Sequence, residues 1–308
     1  MSTGPGDSGH RKGLGRGGAK NRPERSSRMH RQCPGKPVGG GWLGRLDLGF
    51  EVRAGRTVLA HKRQVGPLTV QRPFYPEGNI CQLYLLHPPG SLVGSDRIEI
   101  TLDVAVGASV LVTTPGAAKF YRSAGAAATV QQGLRIAAGG SLEWFPQENI
   151  LFPGARAHTR TSVELADDAR FIGWEMHSLG RPVIGEHFNI GTADLEFRLH
   201  RDGRPILKDR LRVGTGRDLD GPSGLRGFPV CGTFVATGAG PGNLETARAV
   251  LPHEQDHSTG LTLVEDLLVA RCLAPGVESV NRVFRSLWGT LRPQLIGHDA
   301  YPPRIWST

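Results

Sequence analysis

Three stretches of this chain repeat one pattern, and that repetition constrains the fold more than any other feature. Leu102-Asp-Val-Ala-Val-Gly-Ala-Ser-Val-Leu-Val112 aligns with Leu134-Arg-Ile-Ala-Ala-Gly-Gly-Ser-Leu-Glu-Trp144, and both align with Val163-Glu-Leu-Ala-Asp-Asp-Ala-Arg-Phe-Ile-Gly173. Phe197-Arg-Leu-His-Arg-Asp-Gly-Arg-Pro-Ile-Leu207 is a looser fourth copy. Each reads as a strand, a Gly- or Asp-bearing turn and a returning strand. Units at a period of about 30 residues predict hairpins stacked so that each buries its neighbour's apolar face. The bland alternative is the self-similarity that any β-rich chain shows.

The surrounding sequence has the same texture. Apolar residues fall close to every second position in Val58-Leu59, Leu68-Val70, Leu83-Leu85 and Ile98-Ile100-Leu102. Pro/Gly clusters at Gly66-Pro67, Pro88-Pro89-Gly90, Pro115-Gly116 and Pro153-Gly154 end the runs. With 43 Gly and 22 Pro against 38% hydrophobic residues, short strands fit better than long helices. Two segments predict helices near the C-terminus. Asn243–Leu251 stops at Pro252, and Val277–Leu291 places Val280, Val283, Phe284, Leu287, Trp288 and Leu291 on one stripe, with Pro293 beyond it. The expectation from these patterns is an all-β protein of stacked β-hairpin sheets with a few helices near the C-terminus.

The formal charge of +9 belongs mostly to one end. Residues 1–40 carry nine Lys/Arg against Asp7 and Glu24, a surplus of +7, which leaves about +2 for the other 268 residues. The body therefore lacks the clustered charge and interleaved aromatics of a nucleic-acid face. Residues 1–40 read as a disordered basic Gly/Arg-rich tail, and residues 41–308 as a single domain, with order beginning near Trp42. No apolar run approaches the roughly 18 residues of a membrane span. The four cysteines (Cys33, Cys81, Cys231, Cys272) are widely spaced, and no secretory leader is evident, so a reducing cytoplasm is the expected setting.

Signatures of catalysis are thin. His253-Glu-Gln-Asp-His257 spells H-E-x-x-H, the zinc-peptidase pattern in which two histidines share a helix face. Pro252 and Ser258-Thr-Gly260 hem it in, which favours a polar loop; a metallopeptidase is the second function class carried forward. No G-x-x-x-x-G-K-[ST], G-x-S-x-G or strand-to-helix G-x-G-x-x-G occurs. What the body does carry is acids at turns and strand ends: Glu77, Asp96, Glu143, Glu148, Glu175, Glu186 and Asp209. Singly, each reads as a solvated charge or a partner for Arg or Lys. Together, carboxylates on successive β-units could face one interior, where borderline cations favour oxygen ligands.

Several of these stretches resemble one family. Gly66-Pro-Leu-Thr-Val-Gln-Arg-Pro-Phe-Tyr-Pro-Glu77, Tyr84-Leu-Leu-His-Pro-Pro-Gly90, Thr113-Thr-Pro-Gly-Ala-Ala-Lys-Phe-Tyr-Arg-Ser123, Leu142-Glu-Trp-Phe-Pro-Gln-Glu148, Gly173-Trp-Glu175, Leu179-Gly-Arg-Pro182 and Pro303-Arg-Ile-Trp306 are similar to the UreD/UreH urease accessory proteins. The resemblance runs in order from about Trp42 to Thr308. It implies an all-β fold of packed, helically arranged sheets with a few C-terminal helices. It implies, too, a non-catalytic scaffold that binds apo-urease and a helical accessory protein of the UreF type. That partner in turn docks a nickel-carrying GTPase of the UreG type. It also implies an internal tunnel for nickel in transit, with no tightly bound cofactor. Tunnel positions carry over to Asp96, Glu175 and Asp209, with Lys119, Tyr121 and Arg122 in a neighbouring loop; Glu77 and Glu186 join them as transient metal-type carboxylates. A β-repeat scaffold that handles no metal is the third class. The chain departs from the family at Ser91 and Ser95, where glycine is usual; if φ must be positive there, each serine costs on the order of 1 kcal/mol.

Overall fold

A computed structural model describes residues 40–214, 217–251 and 256–307. The expected tail before Gly40, with Cys33, lies outside the described residues, as do His253 and Glu254 of the H-E-x-x-H stretch. In chain order the strands begin with β1 (Leu43–Arg53), β2 (Arg56–Val65), β3 (Thr69–Val70), β4 (Cys81–Leu86), β5 (Ser91–Leu92), β6 (Arg97–Val104) and β7 (Ser109–Thr113). There follow β8 (Ala118–Phe120), β9 (Ala128–Ile136), β10 (Ser141–Phe145), β11 (Asn149–Leu151), β12 (Arg156–Leu165) and β13 (Arg170–Arg181). The last strands are β14 (Glu186–His187), β15 (Thr192–Arg201), β16 (Arg204–Val213), β17 (Val230–Thr237), β18 (Ser258–Val264) and β19 (Leu267–Ala274). Helices are few: a short α1 (Arg217–Asp220), α2 (Pro241–Ala249) and α3 (Val277–Leu295).

The repeats fold into stacked coils. A seven-stranded sheet runs β16-β15-β12-β9-β6-β1-β2, and a second runs β18-β19-β17-β13-β10-β7-β4-β3. The register repeats the sequence alignment: Leu102 pairs with Leu134 and Leu134 with Val163, while in the other sheet Val110 pairs with Leu142 and Leu142 with Phe171. All these pairings are parallel. This corrects the hairpin reading of the repeats. The turns Ala105–Ala108, Ala137–Gly140 and Ala166–Ala169 are corners that carry the chain from one sheet to the other, closed by N–H donation from the fourth residue to the first carbonyl at 2.9–3.0 Å. Sequence alone does not distinguish a hairpin from a corner, because both are two strands around a turn. Hairpins do occur at the edges: β1/β2, β15/β16 and β18/β19 are antiparallel. The fourth copy also slides by two positions, since Val163 pairs with Leu199 rather than Phe197.

Two apolar layers result. Alternate residues of both sheets, such as Leu46, Leu102, Leu134 and Val163 against Leu83, Val112, Leu142 and Phe171, fill the space between the sheets. On the far side of the second sheet, the α3 stripe packs against Phe145, Ile172, Trp174 and Phe234, and its six expected apolar residues are all buried. The helix runs through Pro293, four residues past the expected end. A proline there forfeits one backbone hydrogen bond. The preceding Arg292 holds the last turn: it is fully buried, its Nε and Nη2 donate to Glu143 at 2.9–3.1 Å, and Glu77 lies 2.5 Å from Nη1.

Candidate functional site

The period of two along β13 sorts its side chains. Trp174 and Met176 face α3, whereas Glu175 and His177 face the gap between the sheets. Opposite them on β17 stand Thr233 and Cys231, paired in register. Asp209 enters from β16 of the other sheet, and its Oδ2 accepts a hydrogen bond from Thr233 Oγ1 at 2.8 Å, with Arg271 Nε 3.4 Å away. These residues line a cleft of about 280 Å³.

Burial sets the protonation of its walls. The Glu175 carboxyl is raised to about 7 by desolvation, partly offset by Thr161, with the Asp209 charge adding to the rise. Burial lowers the His177 imidazole to about 4, so it is neutral at pH 7, and pushes the Cys231 thiol up to about 12. Glu175 Oε2 and His177 Nε2 lie 3.8 Å apart. Thr161 Oγ1 contacts both Glu175 Oε1 and, at 2.7 Å, Gln132 Oε1. One hydroxyl has one proton to give. The count closes when Glu175 is protonated and donates to Thr161, which donates to Gln132.

Gln132 lines a second cavity of about 220 Å³, also between the sheets, with His87, Leu92, Ala118, Trp144 and Asn149 in its wall. Asn149 Nδ2 lies 3.2 Å from His177 Nδ1. The linings of the two cavities are thus joined by hydrogen bonds through Gln132–Thr161–Glu175 and through Asn149–His177. The Trp144 indole N–H is buried beside the second cavity without a hydrogen-bond partner. Burial lowers the His87 imidazole, and the charge of Asp96 partly offsets it, which places Asp96 near that end.

Residues 43–307, from the first residue of β1 to the last helical turn, match the model of the UreD urease accessory protein family. The chain is 44% identical over 292 residues to the urease accessory protein UreD of Alcanivorax borkumensis, covering 93% of this chain and 99% of that one. The UreD of Klebsiella aerogenes is 43% identical over 272 residues, 88% of this chain and 99% of its own. That of Alkalilimnicola ehrlichii is 44% identical over 274 residues, 88% and 94% of the two chains. The chain belongs to the UreD family.

In this UreD-family fold six of the seven acids singled out from sequence separate into four places, and Glu148, half-buried near Lys119 with its carboxyl raised by burial, stands apart from them. Glu175 and Asp209 share the cleft. Asp96 is buried in a turn, where Oδ1 accepts from Trp42 N–H at 2.9 Å and Oδ2 from Val93 N–H at 2.8 Å. Glu77 joins Glu143 around Arg292, on the helix side of the sheet. Glu186 is at the surface in a two-pronged pair with Arg181 at 2.7 and 3.0 Å, which lowers its carboxyl below the usual range. Lys119, Tyr121 and Arg122 are exposed at and just after β8, with Tyr121 stacked on Phe152 at 4.5 Å between ring centres. The departure at Ser95 is a strained one, with φ at 75°, whereas Ser91 is not in the left-handed region.

His177, Thr161, Gln132, Asn149, Thr233 and Cys231 were not legible as site residues. Only His177 carried a signal, since it lies two positions from Glu175 and so on the same strand face. Asp256 and His257, at the described end of the H-E-x-x-H stretch, interact with each other at 3.0 Å, and Asp256 Oδ2 accepts from Ser279 Oγ at 2.7 Å at the start of α3. Among the described residues no helix is long and apolar enough to cross a membrane, and no three His, Cys, Asp or Glu side chains form a metal-ligand group.

Proposed function

We propose that this urease accessory protein is a cytoplasmic, non-catalytic scaffold. It binds apo-urease and a helical accessory protein, reaches a nickel-carrying GTPase through that partner, and passes Ni²⁺ through its interior. One observation carries the conduit: Glu175, His177 and Asp209 line a cleft whose wall is hydrogen-bonded to the wall of a second cavity between the sheets. The donor set suits cargo in transit. A dication reaching Glu175 displaces its proton, and the resulting carboxylate offsets part of the cost of bringing the ion between the sheets. Neutral His177 has one unprotonated nitrogen, and with Asn149 Nδ2 donating to Nδ1 an ion reaches it only by displacing Asn149. Cys231 is a thiol rather than a thiolate, so the strongest trap for a late divalent ion is disarmed. Entry is favourable and exit remains open, as conduction requires.

Glu175→Leu and Asp209→Leu test it. Each variant should still co-purify with apo-urease and the helical partner, yet yield urease low in nickel and activity. Fully nickel-loaded urease from both variants would refute the conduit at these residues. Loss of the complexes would make the two acids structural.

A further inference from the structure

The end of the sandwich where the long connections lie is apolar. Six of the eleven large hydrophobic residues that stand exposed among the described residues gather there: Trp42, Val93, Tyr121, Val183, Ile184 and Ile190. Their backbone and ring contacts join them into one rim. Trp42 N–H donates to Asp96, whose own N–H donates to the Val93 carbonyl at 3.0 Å. Tyr121 N–H donates to the Leu92 carbonyl at 2.9 Å, and the Tyr121 ring stacks on Phe152. The Arg181 guanidinium lies 4.8 Å above the other end of that layer, over the Phe152 ring. Arg181 leads directly into the 3-10 turn Pro182–Ile184, none of whose residues is buried and whose Val183 is 94% exposed. Gly154 N–H donates to the Ile190 carbonyl at 2.7 Å. Scattered single hydrophobics are ordinary on a surface; a contiguous set of this kind marks a binding face.

Basic charge exceeds acidic charge around the rim. Arg181 and Glu186 neutralise each other. Lys119 and Arg122 are exposed and make no ion pair among the described residues. Glu148, half-buried, offsets part of the Lys119 charge, while Asp96 is buried and spends both oxygens on backbone N–H groups, so the surplus at the rim is positive. We infer that this end docks a protein partner that presents an apolar ridge edged by carboxylates. A second copy of the chain would bring Lys119 and Arg122 against themselves. Residues 1–40, with nine Lys/Arg, two acids and few large apolar side chains, lack the chemistry of such a partner. Leu92 and Ala118, beneath the rim, line the second cavity, so a partner seated here covers that end of the interior route.

The choice of probes rests on the scaffold reading: purified apo-urease and the purified helical accessory protein, each titrated separately with the full chain. Val183→Glu combined with Ile184→Glu, on a turn with no core contact, is expected to raise Kd for one of them by at least about 30-fold, the loss expected of an apolar anchor, and to leave the other within about twofold. Lys119→Glu combined with Arg122→Glu should weaken the same partner and flatten the salt dependence of its association. Tighter binding by the Lys119→Glu/Arg122→Glu variant would overturn the inference by showing a basic partner edge. Wild-type affinity of both double variants for both probes would overturn it and leave the scaffold reading standing. Self-association of the wild-type chain that Val183→Glu/Ile184→Glu abolishes, with both probes still bound, would make the occupant a second copy and overturn the acidic partner. If the wild-type chain binds neither probe, the scaffold reading fails and the docking assignment fails with it.

Discussion

Glu175→Gln should make this protein more stable at neutral and alkaline pH while making it a worse maturation factor. The carboxyl is buried between the sheets, and its proton affinity is raised from an ordinary 4.5 to about 7. Between those values the folded chain keeps a proton that the unfolded chain releases, so the wild-type protein loses stability as pH rises through the window. That interval corresponds to about 3 kcal/mol. Glutamine keeps the shape, donates to Thr161 through its amide N–H in place of the carboxyl proton, and never has to ionise. His177 acts in the opposite sense: held at about 4, it costs stability as pH falls below its ordinary 6.5. It is present in both proteins and cancels in their difference. Urea unfolding of both chains from pH 4.5 to 8 should therefore show the variant gaining about 3 kcal/mol on wild type across the series, nearly all of it by pH 7.5. Parallel stability profiles would mean that Glu175 ionises in the fold as it does in water, and would refute the protonated Glu175–Thr161–Gln132 chain.

Three further substitutions probe the frame around the cleft. Arg292→Leu leaves Glu143 and Glu77 buried without their cation and should cost about 3–5 kcal/mol in urea unfolding. Ser95→Gly relieves a φ of 75° and should raise stability by roughly 0.5–1 kcal/mol, the left-handed penalty less the entropy that glycine adds to the unfolded chain. Asp96→Ala removes the acceptor of two backbone N–H groups and should cost about 2 kcal/mol. The emission of the adjoining Trp42 should shift in the same variant, and an unchanged spectrum with unchanged stability would count against a turn-holding role for Asp96.

The period-two texture and the 30-residue repeat make the strands legible in the sequence, together with the register of the first three copies though not of the fourth. Leu102, Leu134 and Val163 align in sequence because they stack in space. The sheet that each strand joins was not legible, because a corner such as Ala137–Gly140 has the residues of a hairpin turn and differs only in the direction it sends the chain. Pro293 misled for a different reason: helix propensity is local, and the grip of Glu143 and Glu77 on Arg292 comes from far along the chain. Among the site residues, Glu175 and Asp209 stand out in the sequence as acids expected at turns or strand ends, whereas both lie within strands, β13 and β16, and line the cleft. Glu77 and Glu186 looked the same in sequence, yet their partners Arg292 and Arg181 absorb their charge. Thr161, Gln132 and Asn149 are ordinary polar strand residues until the two sheets close over them.

The most direct test of the interior route is the arrival of nickel in urease when the side chains joining the two cavity walls are made apolar. Gln132→Leu combined with Asn149→Leu removes both hydrogen-bonded bridges while leaving Glu175, His177 and Asp209 in place. In a purified mixture with apo-urease, the helical partner and the nickel-loaded GTPase, the account predicts intact complexes. It also predicts nickel incorporation slowed at least about tenfold, the cost of one lost hydrogen bond to a charged species. Nickel incorporation at the wild-type rate by that double variant would contradict it.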